Sequence, residues 1–332
     1  MLSELINKDL CCWRHTGGMS REKWLEVRKN GIGGSDAGAI MGLNRYSSPL
    51  TVYFAKKGDV PQVENAAIHW GNVSENAIRR EIARKYGLKA RKMPYMFRSL
   101  KNPFMIADLD GLVMAETETD IEGVKVQGVG GIEIKTTTHF NVEFTPDEIP
   151  DSYYAQVQHY MAVTGLSWFI LAVMIDKVGG RVYVVPRNEG FIEQLIERER
   201  VFWNDYVEAD IPPAPTGIER EMEIIGTLPT AESVEIDASY SDLLDERAAI
   251  EAQIKELEKK SAALKESVLL AIAQASGNES AEKTTAVCNE WRISYNTQTR
   301  KSADVKALEK DGLTDYIKTS SSKVARFTRI KA

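Results

Sequence analysis

Ile106-Ala107-Asp108-Leu109-Asp110-Gly111 and, further on, Gly130-Gly131-Ile132-Glu133-Ile134-Lys135 are the two runs on which the fold turns. Each is short and apolar with charge set into it, the pattern of a strand that is buried on at least one face. The acidic and glycine-rich interval between them reads as a hairpin connection. Residues two apart on a strand share a face, so Glu133 and Lys135 point the same way. Asp110, returning from the neighbouring strand, adds a second carboxylate. Mg²⁺ binds oxygen and keeps several of its waters, so one or two carboxylates plus a substrate phosphate suffice to hold it. Asp110 and Glu133 are the candidate ligands, with the carbonyl of Ile134 as a third oxygen. Such an ion polarises a phosphodiester and lowers the pKa of an attacking water. Lys135 beside it is suited to orient that water and to offset charge building on phosphorus. A bare Glu-x-Lys on a strand edge is otherwise a solvated ion pair of little energetic worth, so its companions decide the matter.

Three companions are present. Tyr153-Tyr154-Ala155-Gln156-Val157-Gln158-His159-Tyr160-Met161 reads as part of a helix over 153–164, with Gln156 and Tyr160 on one face. Gln156 there is suited to hold an attacking water or a phosphate oxygen, and Tyr160 a substrate backbone. Tyr153, Val157, Tyr160 and Met161 also make a core stripe, and His159, with no partner at ligand spacing, reads as structural. Upstream, Trp24-Leu25-Glu26-Val27-Arg28 leads through Gly31-Ile32-Gly33-Gly34 into Ser35-Asp36-Ala37. A glycine-rich turn entering a helix offers N–H groups such as that of Gly34 to a phosphate, and Arg28 and Ser35 would complete the pocket. The alternative is a plain helix–turn–helix with Arg28 on the surface. Glu75 lies on a long helix over 66–86, where Arg79 stands as its i+4 partner.

In this order the motifs resemble those of the restriction-enzyme-like nucleases. Asp110 with Glu133-Ile134-Lys135 is similar to their Asp…Glu-x-Lys core. Gln156-x-x-x-Tyr160 is similar to the helix motif of the branch that holds phage lambda exonuclease and the RecB nucleases. Trp24 to Ala37 resembles the opening signature of the YqaJ-type viral recombinase nucleases. The resemblance covers about residues 20–208. It implies an α/β restriction-endonuclease-like core, a central mixed sheet flanked by helices. It implies a DNA exonuclease that uses Mg²⁺, with Mn²⁺ as a substitute, and degrades one strand 5′-to-3′ from duplex ends to expose 3′ single strands for phage-type homologous recombination. Asp110, Glu133, the Ile134 carbonyl and Glu75 would serve the metal, and Lys135 and Gln156 the attacking water. Arg28, Ser35, Gly34 and Tyr160 would hold the 5′-phosphate and DNA. The resemblance further implies a homo-oligomer, a trimeric ring, working beside a single-strand annealing protein in a bacterial host cytoplasm, encoded by a phage or prophage. Asp108 departs from the family, where small or hydroxyl residues are common; it suits a second metal contact or a turn cap. An endonuclease or junction resolvase on the same core, and a non-catalytic DNA-binding assembly module, are the rival readings.

The 332 residues carry a net charge of −6, so nothing global advertises a nucleic-acid binder, although a local channel is enough. Three cysteines give no disulfide framework and point to a reducing cytoplasm. No membrane span is expected, because the longest apolar run, 168–175, is strand-sized. The motifs place a nuclease domain over residues 1–210. Ile211-Pro212-Pro213-Ala214-Pro215 opens a proline-rich and acidic linker over 211–237. Residues 238–332 form a helical arm and a small α/β tail. In the arm, Leu243, Ile250, Ile254, Leu257, Leu264 and Val268 follow heptad spacing, suited to folding on the chain's own tail or, less favourably given Arg247 and Ser261 in the seam, to pairing with another chain. Trp291, Arg292, Tyr295, Arg300 and Lys301 mix aromatic and basic groups, as surfaces that grip nucleic acid do.

Overall fold

A computed structural model describes residues 5–58, 66–138, 144–145, 147–176, 179–277 and 283–296, together with Val305 and Lys310. Two units are separately compact, Met1–Leu228 and Pro229–Ala332. The first is built on a five-stranded mixed sheet. Its strands run β2 (Lys89–Arg91), β5 (Gly111–Ile121), β6 (Val124–Thr137), β7 (Trp168–Ile175) and β8 (Gly179–Pro186), side by side in that order. All neighbours are antiparallel except β6 and β7, which are parallel. A parallel pair needs a crossover, and helix α5 (Asp151–Thr164) lies within it. A second sheet of three strands, β1 (Cys11–His15), β3 (Tyr95–Ser99) and β4 (Ile106–Asp108), lies in the same unit.

Alternation along the strands sorts the core into two faces. Ile132 and Ile134 of β6 pack with Val113, Ile170 and Ala172 against Ile78 and Ile82 of helix α4 (Ala66–Tyr86). Leu112 and Phe169 face the other way, onto Val157, Tyr160 and Met161 of α5. Glu133 and Lys135 therefore leave β6 on the α5 side. Two glycines make room, Gly131 on that side of the sheet and Gly130 on the α4 side, where Trp168 packs. A Cβ at Gly131 would stand 2.1 Å from the Phe169 ring, and one at Gly130 would stand 2.4 Å from Trp168. The bare backbone lets these rings lie across β6, and Phe169 in turn packs on Tyr160 with centroids 5.7 Å apart.

The hairpin joining β5 to β6 turns at Glu122-Gly123, both at positive φ, so β6 is longer at its start than the motif suggested. The run from Phe104 to Ala115 reads as a strand to Asp110 that continues from Gly111, but it is broken between two sheets. β4 ends at Asp108 in the three-stranded sheet, β5 begins at Gly111 in the large one, and Leu109-Asp110 is the step between them. Residues 11–15 form β1, in which Cys11 is buried and pairs across to Ser99. Helices α1 (Arg21–Lys29), α2 (Gly34–Ile40) and α3 (Pro49–Lys57) follow; the Ser20 side chain caps α1, and α2 starts at Gly34 with Gly33 as its cap, earlier than the Ser35-Asp36 pair that reads as a cap for a helix over 37–41. Helix α6 (Glu189–Phe202) passes into a π-helical stretch, Trp203–Glu208, where a single helix was expected.

The expected linker over 211–237 needs correction. Residues Glu219–Thr227 form helix α7 with Ile224 buried. The Glu221 carboxylate, itself buried, accepts from the Ser48 hydroxyl at 2.6 Å and from the N–H groups of Thr216 and Gly217 at 2.9 and 2.8 Å. Those bonds seat the segment on α3's N-cap, and the chain divides after Leu228 rather than near 210.

In the second unit, helix α8 (Tyr240–Ser276) is followed by a hairpin of β9 (Lys283–Cys288) and β10 (Trp291–Asn296). Ile272 is the buried residue of α8; Leu243, Ile250, Ile254, Leu257, Leu264 and Val268 are exposed, so the expected fold-back onto the tail does not cover them among the described residues. Trp291 and Tyr295 are exposed on the hairpin. Arg300, Lys301 and the expected last strand lie outside the described residues, as does all but two positions of the expected helix over 302–310.

Candidate active site

Asp110 is placed by the break between the sheets. The β5–β6 register pairs Gly111 with Ile132, so one step back sets Asp110 opposite Glu133. No ladder bond forms there; instead Asp110 Oδ2 accepts the N–H of Ile134 at 2.7 Å. Arg79, expected as a partner for Glu75, instead donates to the Asp110 carbonyl at 2.8 Å and to Asn76 at 2.9 Å. That frees Glu75 to turn toward Asp110. Glu75, Asp110, Glu133, Ile134 and Lys135 then line one cleft of about 390 Å³, with Gly71, Asn72 and Thr136.

Glu133 is 4% exposed. Its Oε1 accepts from Lys135 Nζ at 2.7 Å and from Gln156 Nε2 at 2.7 Å. Its Oε2 is buried without a partner, a costly state for a carboxylate oxygen. Burial, with the charge of Asp110 beside it, pushes Glu133 up to about 7, although Lys135 and Gln156 pull the other way. Burial and the hydrogen-bonded carboxyl of Glu75 push Asp110 up to about 7 as well. Burial opposes the charge on Lys135, but Glu133 outweighs it, so the ammonium is held more firmly than in a free lysine. The Tyr153 ring lies 5.1 Å below that ammonium.

Crowded acids with a partnerless buried oxygen fit a hard divalent cation. Among the described residues no three acid, imidazole or thiol side chains converge closely enough to hold an ion alone. The donor set is thus the kind that Mg²⁺ accepts, carboxylates completed by water and substrate phosphate.

Gln156 spends its amide group on Glu133 and on the Tyr160 hydroxyl, the latter at 2.9 Å. Its amide nitrogen thereby ties Glu133 to the Tyr160 hydroxyl. Tyr160 is buried and lines the larger of the two clefts of this site. Burial pushes its phenol well above the usual range. A Cβ at Gly34 would stand 2.4 Å from the Tyr160 ring, so that glycine lets α2 and α5 approach.

A second, larger cleft of about 1020 Å³ runs from Asp110 and Gln156 past Asp108, Glu75 and Lys92 to Arg28, Ser35 and Lys56. The Arg28 guanidinium donates to the Ser35 hydroxyl and lies 5.4 Å over Trp24. Asp108 accepts from Trp24 Nε1 at 2.8 Å. Burial raises it despite that bond. Sequence reasoning did not single out Lys56, Lys92 or Glu199, and it gave Arg79 to Glu75 rather than to the Asp110 carbonyl. Each works on a residue distant in sequence, and only the adjacency of Lys56 to the end of an amphipathic helix was visible. His159 is structural as expected: it is wholly buried between Glu199, at 2.7 Å, and the carbonyl of Ile106, at 2.9 Å.

The fold and cleft define a mixed α/β protein with an acid-and-lysine site on the α5 side of its central sheet, the arrangement foreseen for a restriction-enzyme-like core. More particularly, the chain belongs to the YqaJ family. The family model of the YqaJ-like viral recombinase domain matches residues 23–167. The uncharacterized protein YqaJ of Bacillus subtilis (strain 168) is 30% identical over 250 residues, covering 72% of this chain and 74% of that protein. Among solved structures, the alkaline exonuclease LHK-Exo of Laribacter hongkongensis is similar at 19% identity and a TM-score of 0.45, over 57% of this chain and 93% of that one. A phage-related exonuclease of Haemophilus somnus 129PT is similar at 12% identity and a TM-score of 0.38, over 56% and 99%. No helix among the described residues is long and apolar enough to cross a membrane.

Proposed function

We propose that this protein is a metal-dependent deoxyribonuclease that degrades one strand of duplex DNA 5′-to-3′ from its ends. The observation that carries the reading is the partnerless, buried Oε2 of Glu133, beside Asp110 and below an ammonium, in a cleft continuous with Arg28 and Ser35. Asp110, Glu133 and the Ile134 carbonyl would hold Mg²⁺ or Mn²⁺, with Glu75 as a further or water-bridged ligand. When bound, the ion would supply Lewis-acid polarisation of the phosphodiester and a more acidic water. Lys135, kept protonated by Glu133, donates hydrogen bonds to the attacking water and counters charge on phosphorus. Gln156 fixes Glu133 through Oε1, and the partnerless Oε2 would be left for the ion. Arg28 and Ser35 receive the terminal phosphate, which sets the direction of travel, and Gly34 and Tyr160 build the wall behind them.

In this reading the product is a 3′ single strand for homologous recombination, handed to a single-strand annealing protein in the cytoplasm of a bacterial host. A homo-oligomeric ring of three would keep the enzyme on its track. The test compares linear duplex with covalently closed circles of the same sequence. Only the linear form should be degraded, one strand at a time. Cutting of the closed circle would favour the endonuclease or resolvase reading instead.

A further inference from the structure

Asp36, Lys56 and Arg28 come from three different helices and meet at the Arg28 end of the large cleft. The three are not equally paired. Lys56, whose side chain is 4% exposed, holds Asp36 Oδ2 at 2.6 Å. Arg28 stands off from Asp36 at 3.6 Å and gives its hydrogen bond to Ser35. Asp36 Oδ2 also accepts the N–H of Gly33 at 2.9 Å, so it cannot swing away. Burying a lysine is expensive unless its charge is answered. A methionine or leucine would continue the apolar stripe of α3.

We infer that Lys56 is a specificity-determining residue of the end-phosphate pocket: it neutralises Asp36 and thereby leaves the guanidinium of Arg28 to the 5′-phosphate of a DNA end. The inference rests on the function proposed above. With Lys56 present the trio carries one net positive charge, and that charge sits on Arg28. Without it, the nearest cation to the fixed Asp36 carboxylate is Arg28 itself, and the trio becomes neutral. Burial raises Asp36, but Lys56 and then Arg28 more than reverse this and hold it down to about 2, so the carboxylate charge must be answered at every working pH. Lys56 is a positioning residue in this scheme, since it acts on substrate through Asp36 and Arg28. Glu199 also feels its charge.

The experiment measures binding of blunt duplexes with 5′-phosphate or 5′-hydroxyl ends by fluorescence anisotropy in EDTA, and their initial digestion rates with Mg²⁺. The quantity read is the ratio between the two ends. Lys56→Met should lower the ratio toward one, a loss of about tenfold. Asp36→Asn/Lys56→Met should restore it, because Asn still accepts the Gly33 N–H but makes no claim on Arg28. Lys56→Arg should keep most of it. If Lys56→Met fails to fold, Asp36→Asn alone decides, since it adds net positive charge and should hold or raise the ratio. A ratio unchanged in folded Lys56→Met, unrestored in the double variant or lowered by Asp36→Asn would overturn the inference while leaving the nuclease reading intact. A wild-type protein that degrades DNA but ignores the end group would overturn both the inference and the end pocket.

Discussion

Gln156 donates to Glu133 Oε1 at 2.7 Å from the helix that crosses over between strands β6 and β7. That one bond ties the crossover to the strand carrying the acid, and it shares its acceptor with Lys135. The oxygen left over, Oε2, is buried without a partner. Gln156→Leu should therefore leave Lys135 and the fold in place but loosen Glu133. We expect kcat on linear duplex to fall by about 10- to 100-fold with KM little changed, the usual cost of losing the group that orients a ligand or a reacting centre. An unchanged kcat would remove Gln156 from the machinery.

His159 and Glu199 form a wholly buried pair 2.7 Å apart, with Glu199 Oε2 left without a partner. Burial lowers the imidazole's affinity for a proton, but Glu199 more than reverses this. Removing one member strands the other in an apolar interior. His159→Leu should destabilise the protein by about 3–5 kcal/mol in urea unfolding, and His159→Leu/Glu199→Leu should recover part of that loss. Equal destabilisation by the single and double changes would show that volume, not charge, is what the pair supplies.

Asp36 gives a pH signature. Its folded value of about 2 lies below the ordinary 3.8, so it binds its proton less readily in the folded state. It therefore contributes stability above pH 3.8 that is lost as pH falls through that value toward 2. The shift corresponds to about 2 kcal/mol. Asp36→Asn should flatten the fall in unfolding free energy over that acid window. A wild-type slope retained in the variant would assign the acid sensitivity to other groups.

Helix α7 sets where the first unit ends. A chain of residues 1–228 should fold and digest DNA as the full protein does. A chain of residues 1–215 loses Ile224 and the Glu221 bonds to Ser48 and the 216–217 backbone. Loss of the Ile224 burial alone is worth about 1.5–3 kcal/mol, or roughly 3–12 °C in melting temperature for a unit of this size. Equal melting temperatures for the two chains would show that α7 is not part of the unit.

Much of this site was legible before any coordinates, and the reasons are local. Glu133 and Lys135 share a face because strands have a period of two, and Gln156 and Tyr160 because helices repeat every 3.6 residues. Spacing could not show that Asp110 sits at a step between two sheets: Asp110-Gly111 is a turn signal, but nothing in it says that the strands on either side join different sheets. Nor could it pair Lys56 with Asp36, Arg79 with the Asp110 carbonyl or Glu199 with His159. Those contacts close over 20, 31 and 40 residues, and each joins separate elements. Helix α7 was hidden for a different reason. Its seat depends on a buried glutamate, a residue that pattern reading assigns to the surface.

The central claim is that Asp110, Glu133 and Lys135 break phosphodiester bonds with the help of a divalent ion. The most direct measurement follows a linear duplex labelled at its 5′ ends, incubated with the wild-type protein in Mg²⁺, in EDTA and, in parallel, with Glu133→Gln in Mg²⁺. The glutamine keeps the shape and an acceptor for Lys135 while removing the charge. Release of labelled mononucleotide by the wild type in Mg²⁺ alone, with a loss of at least about 10³-fold in EDTA and in the variant, is the expected result. Digestion that persists in EDTA or in folded Glu133→Gln would contradict it.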